Sequence, residues 1–407
     1  MGHTIVSRTI VVLMGLWLAL TPARIGAQEQ PATPVAAEAV TAAAMFRGNA
    51  ARTGSQPGSG PVGEPVLRWR FQAGDIVTSS PAVSDGAVYI GSGSYEAQTG
   101  TLFAIDAATG TERWRVDLSG FVTSSPAVAN GVVYVGGIDG TFVALDADTG
   151  AERWRTTLGR SVRSSPAIVD DVVYIASTDG GLFALDAMTG NERWRAETGL
   201  DIVSSPAVSD GAVFVGAGDG LLYAVDAENG AERWQFATLE VVESTPAAAD
   251  GVVYVGSIEH HAARGALIAI EAETGIELWR FATAGEVGSS AAVADGVVYI
   301  GSRGTHNSEE VQEPEVGSVY AIDAATGAER WRFAAGGPVD SSPAVVNGVV
   351  YIGGGDGALL ALKAATGEEL WRWQTDGVVG SSPAVVEGVV YVGSSDGFVY
   401  AVGESVS

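Results

Sequence analysis

The stretch SSPAIVDDVVYIASTDGGLFALDAMTGNERWRAETG (Ser164–Gly199) is one unit of a repeat that fills most of the chain. Ser-Ser-Pro-Ala or a close variant begins at Ser79, Ser124, Ser164, Ser204, Ser244, Ser289, Ser341 and Ser381. Tryptophans in the same frame are Trp69, Trp114, Trp154, Trp194, Trp234, Trp279, Trp331 and Trp371. Their successive spacings are 45, 40, 40, 40, 45, 52 and 40 residues. A period of about 40 residues with strand-like composition indicates propeller blades rather than a helical solenoid.

Each unit divides into four strands separated by turn residues. In the quoted unit the strands are SPAIV, VVYIAS, GLFALDA and ERWRAE. The first turn is an Asp-Gly or Asn-Gly pair in several units, such as Asn130-Gly131, and these residues accept the positive φ of a tight hairpin. Asp179-Gly180 and Thr189-Gly190 supply the later turns. Four antiparallel strands per unit predict the blade of a β-propeller.

Proline and arginine indicate which strands lie at the edges of a blade. Proline cannot donate to a sheet ladder, so it predicts an inner edge strand lining the central channel. The prolines assigned to this first strand are Pro81, Pro126, Pro166, Pro206, Pro246, Pro343 and Pro383. Arginines flank the tryptophans of the fourth strand, where charge discourages pairing with other chains.

The last unit supplies strands one to three and lacks the fourth. VLRWRF (Val66–Phe71) near the start is a fourth strand with no blade before it. We expect this strand to pair with Tyr391–Val402 and close the ring. The sequence therefore predicts an all-β fold, an eight-bladed β-propeller of four-stranded antiparallel blades in which the N-terminal strand joins the last blade.

The chain around the repeats divides into short segments. Residues 1–27 read as a signal peptide, with Arg8 before the apolar stretch Ile10–Leu20 and a cut after Ala23 or Ala27. A flexible low-complexity linker (28–44), an irregular segment (45–65), the propeller (66–402) and a tail (403–407) follow. We expect export to a periplasmic or extracellular site, with a membrane tether if the signal is uncleaved, and no transmembrane segment once it is removed.

Composition excludes several classes of function. The net charge of −26 repels phosphate backbones, so no nucleic-acid partner is expected. The absence of cysteine excludes disulfides, thiol nucleophiles and a lipid-modified N-terminal cysteine. Lys363 is the only lysine, and no phosphate-binding loop motif occurs.

AIDAATGTERW (Ala104–Trp114) reads A-x-D-x-x-T-G-x-x-x-W and resembles the tryptophan-docking motif of the pyrroloquinoline quinone (PQQ) repeat family. Further copies begin at Ala144, Ala184, Ala224, Ala269, Ala321 and Ala361, so that the resemblance extends from about Met45 to Val402. It implies that the eight repeat tryptophans pack between neighbouring blades. Asn229 in place of Thr, and Glu271 and Lys363 in place of Asp, depart from the motif.

The resemblance implies two kinds of function. Quinoprotein dehydrogenases of the family bind PQQ and calcium and oxidise alcohols or sugars, whereas propellers similar to BamB are cofactor-free scaffolds. This chain lacks the adjacent cysteines of the alcohol dehydrogenases, and their calcium ligands map to no position here. It also lacks the lipid-bearing cysteine of BamB. We expect a monomeric, non-catalytic scaffold without a cofactor that binds a protein or envelope component. The alternatives are a PQQ- and calcium-dependent oxidoreductase and a propeller that binds carbohydrate or a small ligand.

Candidate site residues are those that depart from the repeat. Three blades lengthen the connection between their second and third strands, at Ser92–Gly100, Ser257–Gly265 and Ser302–Gly317. A divalent metal could bind the histidines and carboxylates of these loops, which are His260, His261, His306, Glu259 and Glu309. The residue before each Ser-Ser pair should ring the channel mouth, and its charged examples are Arg163, Glu243 and Asp340. These three are candidates for contact with a polar ligand or a partner. Trp373, outside the repeat frame, is the one aromatic candidate for a sugar-binding platform.

Overall fold

The computed structural model describes residues 43–94, 99–199, 201–238, 241–259, 264–304 and 316–405. Within these ranges the secondary structure consists of strands and turns, with no helix. No helix that could cross a membrane is found in this described part of the chain. The predicted signal peptide and most of the predicted linker lie outside it.

The described residues form 32 strands. The first sixteen are β1 (Pro65–Gln72), β2 (Ala82–Ser84), β3 (Ala87–Ser94), β4 (Thr99–Asp106), β5 (Glu112–Leu118), β6 (Ala127–Ala129), β7 (Val132–Gly136), β8 (Thr141–Asp146), β9 (Glu152–Thr157), β10 (Ala167–Val169), β11 (Val172–Ala176), β12 (Gly181–Asp186), β13 (Glu192–Glu197), β14 (Ala207–Ser209), β15 (Ala212–Gly216) and β16 (Leu221–Asp226). The others are β17 (Glu232–Ala237), β18 (Ala247–Ala249), β19 (Val252–Glu259), β20 (Arg264–Glu271), β21 (Glu277–Thr283), β22 (Ala292–Ala294), β23 (Val297–Ser302), β24 (Ser318–Asp323), β25 (Glu329–Ala334), β26 (Ala344–Val346), β27 (Val349–Gly353), β28 (Ala358–Lys363), β29 (Glu369–Gln374), β30 (Ala384–Val386), β31 (Val389–Gly393) and β32 (Phe398–Glu404).

These strands form eight four-stranded antiparallel sheets, one for each blade. Blades 1 to 7 take consecutive strands, from β2–β5 to β26–β29, and blade 8 has the order β1-β32-β31-β30. Each three-residue inner strand lies beside the inner strand of the next blade, and β30 lies beside β2. The predicted eight-bladed ring is confirmed, as is its closure by the N-terminal strand, which pairs with β32 from Pro65↔Glu404 to Gln72↔Phe398.

A ring of hydrogen bonds joins the inner strands around the axis. The second residue of each Ser-Ser pair donates its backbone N–H to the side-chain hydroxyl of the corresponding residue in the next blade, and Ser382 returns to Ser80. The eight distances lie between 2.9 and 3.1 Å. Because these hydroxyls satisfy backbone donors that have no partner in their own sheet, the repeated serine is a structural requirement of the ring.

The repeat tryptophans join each blade to the next. Each indole N–H of the first seven donates to a backbone carbonyl of the following blade, namely those of Ala107, Ala147, Ala187, Ala227, Ala272, Ala324 and Ala364. The glycine of the Thr-Gly turn lies against the indole, so that a Cβ on Gly190 would stand 2.6 Å from Cε3 of Trp154. The motif aspartate fixes this turn, since Oδ1 of Asp106 accepts bonds from Thr109 while Oδ2 pairs with Arg113. Hydrogen bonds from Arg113 and Thr109 lower the pKa of Asp106 to about 2.

Blade 8 has no Thr-Gly turn to receive Trp371, and the N-terminal segment takes its place. The carbonyl of Pro61 accepts hydrogen bonds from the Trp371 indole at 2.8 Å and the Tyr351 hydroxyl at 3.0 Å. In blade 2 the carbonyl of Ala147 accepts the same pair of groups. The Glu404 carboxylate then accepts the N–H groups of Val62 and Gly63. The eighth docking site is therefore assembled from both ends of the described chain.

The prolines lie one residue before the inner strand rather than within it, because each inner strand begins at the alanine that follows. Proline has no N–H, and its carbonyl is free to accept bonds from inside the channel.

The Asp-Gly and Asn-Gly hairpins have the expected positive φ, with Asn130 at 51° and Gly131 at 70°.

Residues 43–56, which we name the plug segment, lie inside the ring and bond to every blade. Backbone carbonyls of the segment accept the N–H groups of Val83, Val128, Val208, Ala248, Val293 and Val345, in blades 1, 2, 4, 5, 6 and 7. Arg52 reaches the Ser165 carbonyl of blade 3, and the Gln56 side chain accepts the N–H of Val385 in blade 8. The sequence predicts only an irregular segment over 45–65, because its pattern is not repeated.

Two arginines of the plug segment are buried near the axis and bond to backbone carbonyls. Arg52 donates to Pro206, Phe46 and Ser165, and Arg47 donates to Arg52, Pro343 and Ala291. Burial lowers the pKa of each guanidinium to about 9, and repulsion by Arg52 adds to the effect on Arg47. The carbonyls that surround the two guanidinium groups offset part of this desolvation cost.

Candidate binding face at the channel mouth

One face of the ring carries the turns between second and third strands and the connections from each fourth strand to the next inner strand. We name it the loop face. Backbone hydrogen bonds link these segments between blades, as in Ile138 N–H to Phe121 O, Thr178 N–H to Ser161 O and Asp201 N–H to Thr178 O. These bonds lie between segments of successive blades, so that the described side chains next to them have fixed relative positions.

The three charged candidates at the channel mouth are not brought together. Arg163 precedes the inner strand of blade 3 and Asp340 that of blade 7, four blades away in a ring of eight and therefore on opposite sides of the axis. Glu243 precedes the inner strand of blade 5, midway between them. This geometry therefore argues against a single small ligand that contacts all three residues.

On one side of the channel mouth, Arg303 lies between the carboxylates of Glu286 and Asp340. It is not among the candidates predicted from the sequence. Its guanidinium bonds to Asp340 at 2.6 Å and to Glu286 at 2.9 Å, and the Glu286 side chain is only 5% exposed. Burial disfavours the charge of Arg303, but the charges and hydrogen bonds of Asp340 and Glu286, together with nearby Glu243, raise its pKa above the usual value. One feature of the sequence could have pointed to Arg303, because this residue lies at the start of the longest inserted loop.

Replacing Arg303 should destabilise the protein more than replacing an exposed arginine with similar partners. Arg303→Met leaves the buried Glu286 charge without this partner, and we expect a loss of about 1–3 kcal/mol in the free energy of unfolding. Arg372 also pairs with two carboxylates, Glu369 and Asp356, but is 36% exposed, so Arg372→Met should cost about 0–1 kcal/mol. Urea unfolding measures both.

The double variant Arg303→Met/Glu286→Gln tests the cause. It should recover part of the stability lost in Arg303→Met, since the buried carboxylate charge is then absent. Equal losses for Arg303→Met and Arg372→Met would show that the Glu286 contact contributes nothing beyond a surface pair.

The opposite side of the mouth is basic. Arg160 and Arg163 are exposed and lie on the rim of a cavity of about 520 Å³. Neither has a carboxylate oxygen within 4.0 Å among the described residues, in contrast to Arg113, Arg153 and Arg193 on the fourth strands. The channel mouth therefore has a basic arc at blade 3 and an acidic arc over blades 5 to 7.

The proposed metal ligands fall mostly outside the described residues. His260, His261, His306 and Glu309 are not described, and Glu259 is the last residue of β19, half-buried opposite Arg264. Within the part of the chain that is described, no group of three or more His, Asp or Glu side chains is placed to hold a metal. The metal site stays a prediction.

The Trp373 ring is not laid open on the surface as a sugar-binding platform would be. Its ring is half-buried and packs against the core between blades 7 and 8, opposite Leu359 in the sheet. Its indole nitrogen is buried and has no hydrogen-bond partner among the described residues. Phe236, Phe281 and Phe333 occupy the equivalent register in other blades and also pack against cores.

The eight closed blades and the tryptophan docking define a PQQ-repeat β-propeller. The family described as outer membrane protein assembly factor BamB matches residues 63–201, 141–245, 195–308 and 315–405, and the chain therefore belongs to that family. A comparison with curated proteins finds no match.

Solved structures of both functional branches resemble this one. BamB from Moraxella catarrhalis has a TM-score of 0.66 at 20% identity, covering 84% of this chain and 100% of that chain. A europium-containing methanol dehydrogenase has a TM-score of 0.73 at 14% identity, covering 89% and 98%. Quinohemoprotein alcohol dehydrogenase from Comamonas testosteroni has 0.72 at 18%, covering 90% and 81%. At these identities the likeness establishes the fold and does not choose between scaffold and enzyme.

Among the described residues, no group of three or more acidic or histidine side chains is placed to hold a metal ion. Glu286 and Asp340 are joined by the positively charged side chain of Arg303. We therefore assign no calcium ligands in this part of the chain.

Proposed function

We propose that the protein is an exported, non-catalytic interaction scaffold whose loop face binds a protein or another component of the cell envelope. The observation that carries the proposal is the contrast between a repeated framework and a mouth that is not repeated. Serine ring, tryptophan docking and hairpins recur from blade to blade, whereas Arg160, Arg163, Arg303, Glu286 and Asp340 each occur once. Charges arranged in this way on a rigid support give an interface specificity.

The rest of the molecule supports the same role. The ring is closed by β1, and the plug segment bonds to every blade, so that the described framework under the loop face needs little ordering when a partner binds. Export is inferred from the apolar stretch Ile10–Leu20 and from membership of a family described as an outer membrane assembly factor. A monomer is sufficient for this function.

A photo-crosslinking amino acid tests the proposal in the cells that make the protein. Placed at Thr178 or at Thr123, on the loop face, it should give a defined adduct with an envelope protein. Placed at Arg115, exposed on the outer edge of blade 1, it should not. Equal labelling from all three positions, or from none, would contradict a scaffold that works through the loop face.

Calorimetric titration with PQQ, with and without calcium, tests the alternative. We expect no saturable heat and no dye reduction with alcohols or sugars. Saturable binding at micromolar concentration or below, accompanied by substrate-dependent dye reduction, would replace the scaffold with a quinoprotein oxidoreductase.

A further inference from the structure

We propose that the cavity beside Arg160 and Arg163 binds a carboxylate group presented by the partner protein, from an acidic side chain or from a C-terminus. The inference rests on the proposed function and names the chemistry of the contact.

The cavity combines cationic, polar and apolar groups. Besides the two arginines, Ile138 and Val203 supply aliphatic surface, and Ser161, Thr178 and Asp201 complete the lining. It lies where the segments joined by the Thr178–Ser161 and Asp201–Thr178 backbone bonds meet, so its walls belong to successive blades. Its volume of about 520 Å³ falls within the range of about 300–1,000 Å³ usual for ligand sites and exceeds what one carboxylate side chain needs.

The charges of the lining indicate an anionic ligand. Both guanidinium groups stand without a carboxylate partner among the described residues in a chain of net charge −26, although Arg113 and Arg153 of the blade edges have theirs. The hydroxyl of Ser161 also has no hydrogen-bond partner among the described residues, but its oxygen is buried and is not open to the cavity. Guanidinium groups bind carboxylates through paired N–H donors, which gives the contact both strength and direction.

The surroundings restrict where such a ligand can bind. Asp340 and Glu286 on the far side of the mouth, and Glu243 between the two sides, repel an acidic segment, and Arg303 is already engaged. Asp201 on the rim repels a second negative charge close to the first. The site therefore favours a single carboxylate next to an aliphatic group that can contact Ile138 and Val203.

Methyl resonances of Ile138 and Val203 report on occupancy of the cavity. The probes are an acetylated peptide, Gly-Val-Gly-Gly, with a free C-terminus, and an amidated peptide, Gly-Val-Asp-Gly, with an internal aspartate. The amidated forms without a carboxylate, Gly-Val-Gly-Gly and Gly-Val-Asn-Gly, are the controls. We expect saturable shifts with at least one carboxylate peptide, and the stronger of the two identifies the source of the group.

Variants assign the binding to the arginines. The double variant Arg160→Gln/Arg163→Gln should weaken peptide binding at least about tenfold, whereas Arg115→Gln, which removes an exposed arginine elsewhere, should leave it unchanged. Both arginines are exposed, so the thermal midpoint should stay that of the parent protein.

Three results would overturn the inference: equal shifts with the amide controls, equally tight binding by the double variant, or equally tight binding of inorganic phosphate, which would make the site a general anion site. If the parent protein binds neither carboxylate peptide but still forms the loop-face crosslink, this inference is wrong and the proposed scaffold function stands. PQQ binding with dye reduction would instead remove the scaffold.

Discussion

A chain that begins at Val62 should lose about 3–6 kcal/mol of its free energy of unfolding relative to one that begins at Thr41. The shorter chain lacks the plug segment, whose carbonyls accept six inner-strand N–H groups. Each such bond contributes about 0.5–1 kcal/mol, because channel water replaces part of it. The truncation also removes the Pro61 carbonyl, which leaves the Trp371 indole and the Tyr351 hydroxyl without the acceptor shown here.

Urea unfolding of the two chains measures this difference, with tryptophan fluorescence as the signal. Two further variants separate the contributions within the longer chain. Arg52→Met removes three carbonyl contacts to blades 3 and 4 and the segment itself. Asn49→Ala removes only a local pair with Thr53 and should cost less than Arg52→Met. Unchanged stability in the chain that begins at Val62 would show that the inner strands need no bonds from within the channel.

The plug segment also shows where sequence reasoning reached its limit. The blade count, the hairpins and the closure by β1 followed from spacing, because each repeated residue has the same contact in every blade. Arg47, Arg52 and Gln56 each make contacts that occur once, with blades far away in sequence, so no period reveals them. Pro61 in the eighth docking site was missed for the same reason.

The candidate site divides in the same way. The frame predicts that Arg163, Glu243 and Asp340 lie around the channel mouth, because the residue before Ser-Ser occupies one place in every blade. It did not locate Arg303, whose role depends on the path of an inserted loop towards Glu286 and Asp340. Arg160 was missed because the residue four positions before Ser-Ser was not compared between units, although that comparison needed only the sequence.

Gly190→Ala should destabilise the protein by about 3 kcal/mol, although it adds a single methyl group. Gly190 has φ of 72°, and a residue with a Cβ costs about 1–2 kcal/mol in this left-handed region. The new Cβ would also stand 2.6 Å from Cε3 and 2.8 Å from Cδ2 of Trp154, so the indole must move out of its docking position. Overpacking of this kind costs about 1–3 kcal/mol.

Gly251→Ala is the matched control, because Gly251 has φ of 76° and nothing stands within 4 Å of its Cβ position. It carries the backbone strain alone and should cost about 1–2 kcal/mol. Urea unfolding of both variants gives the difference, which measures the contact between one blade's turn and the preceding blade's tryptophan. Equal losses would mean that the indole adjusts freely, and the repeated glycine would then be explained by its backbone conformation alone. A larger loss for Gly190→Ala would show that the motif requires glycine at this position for both φ and close packing.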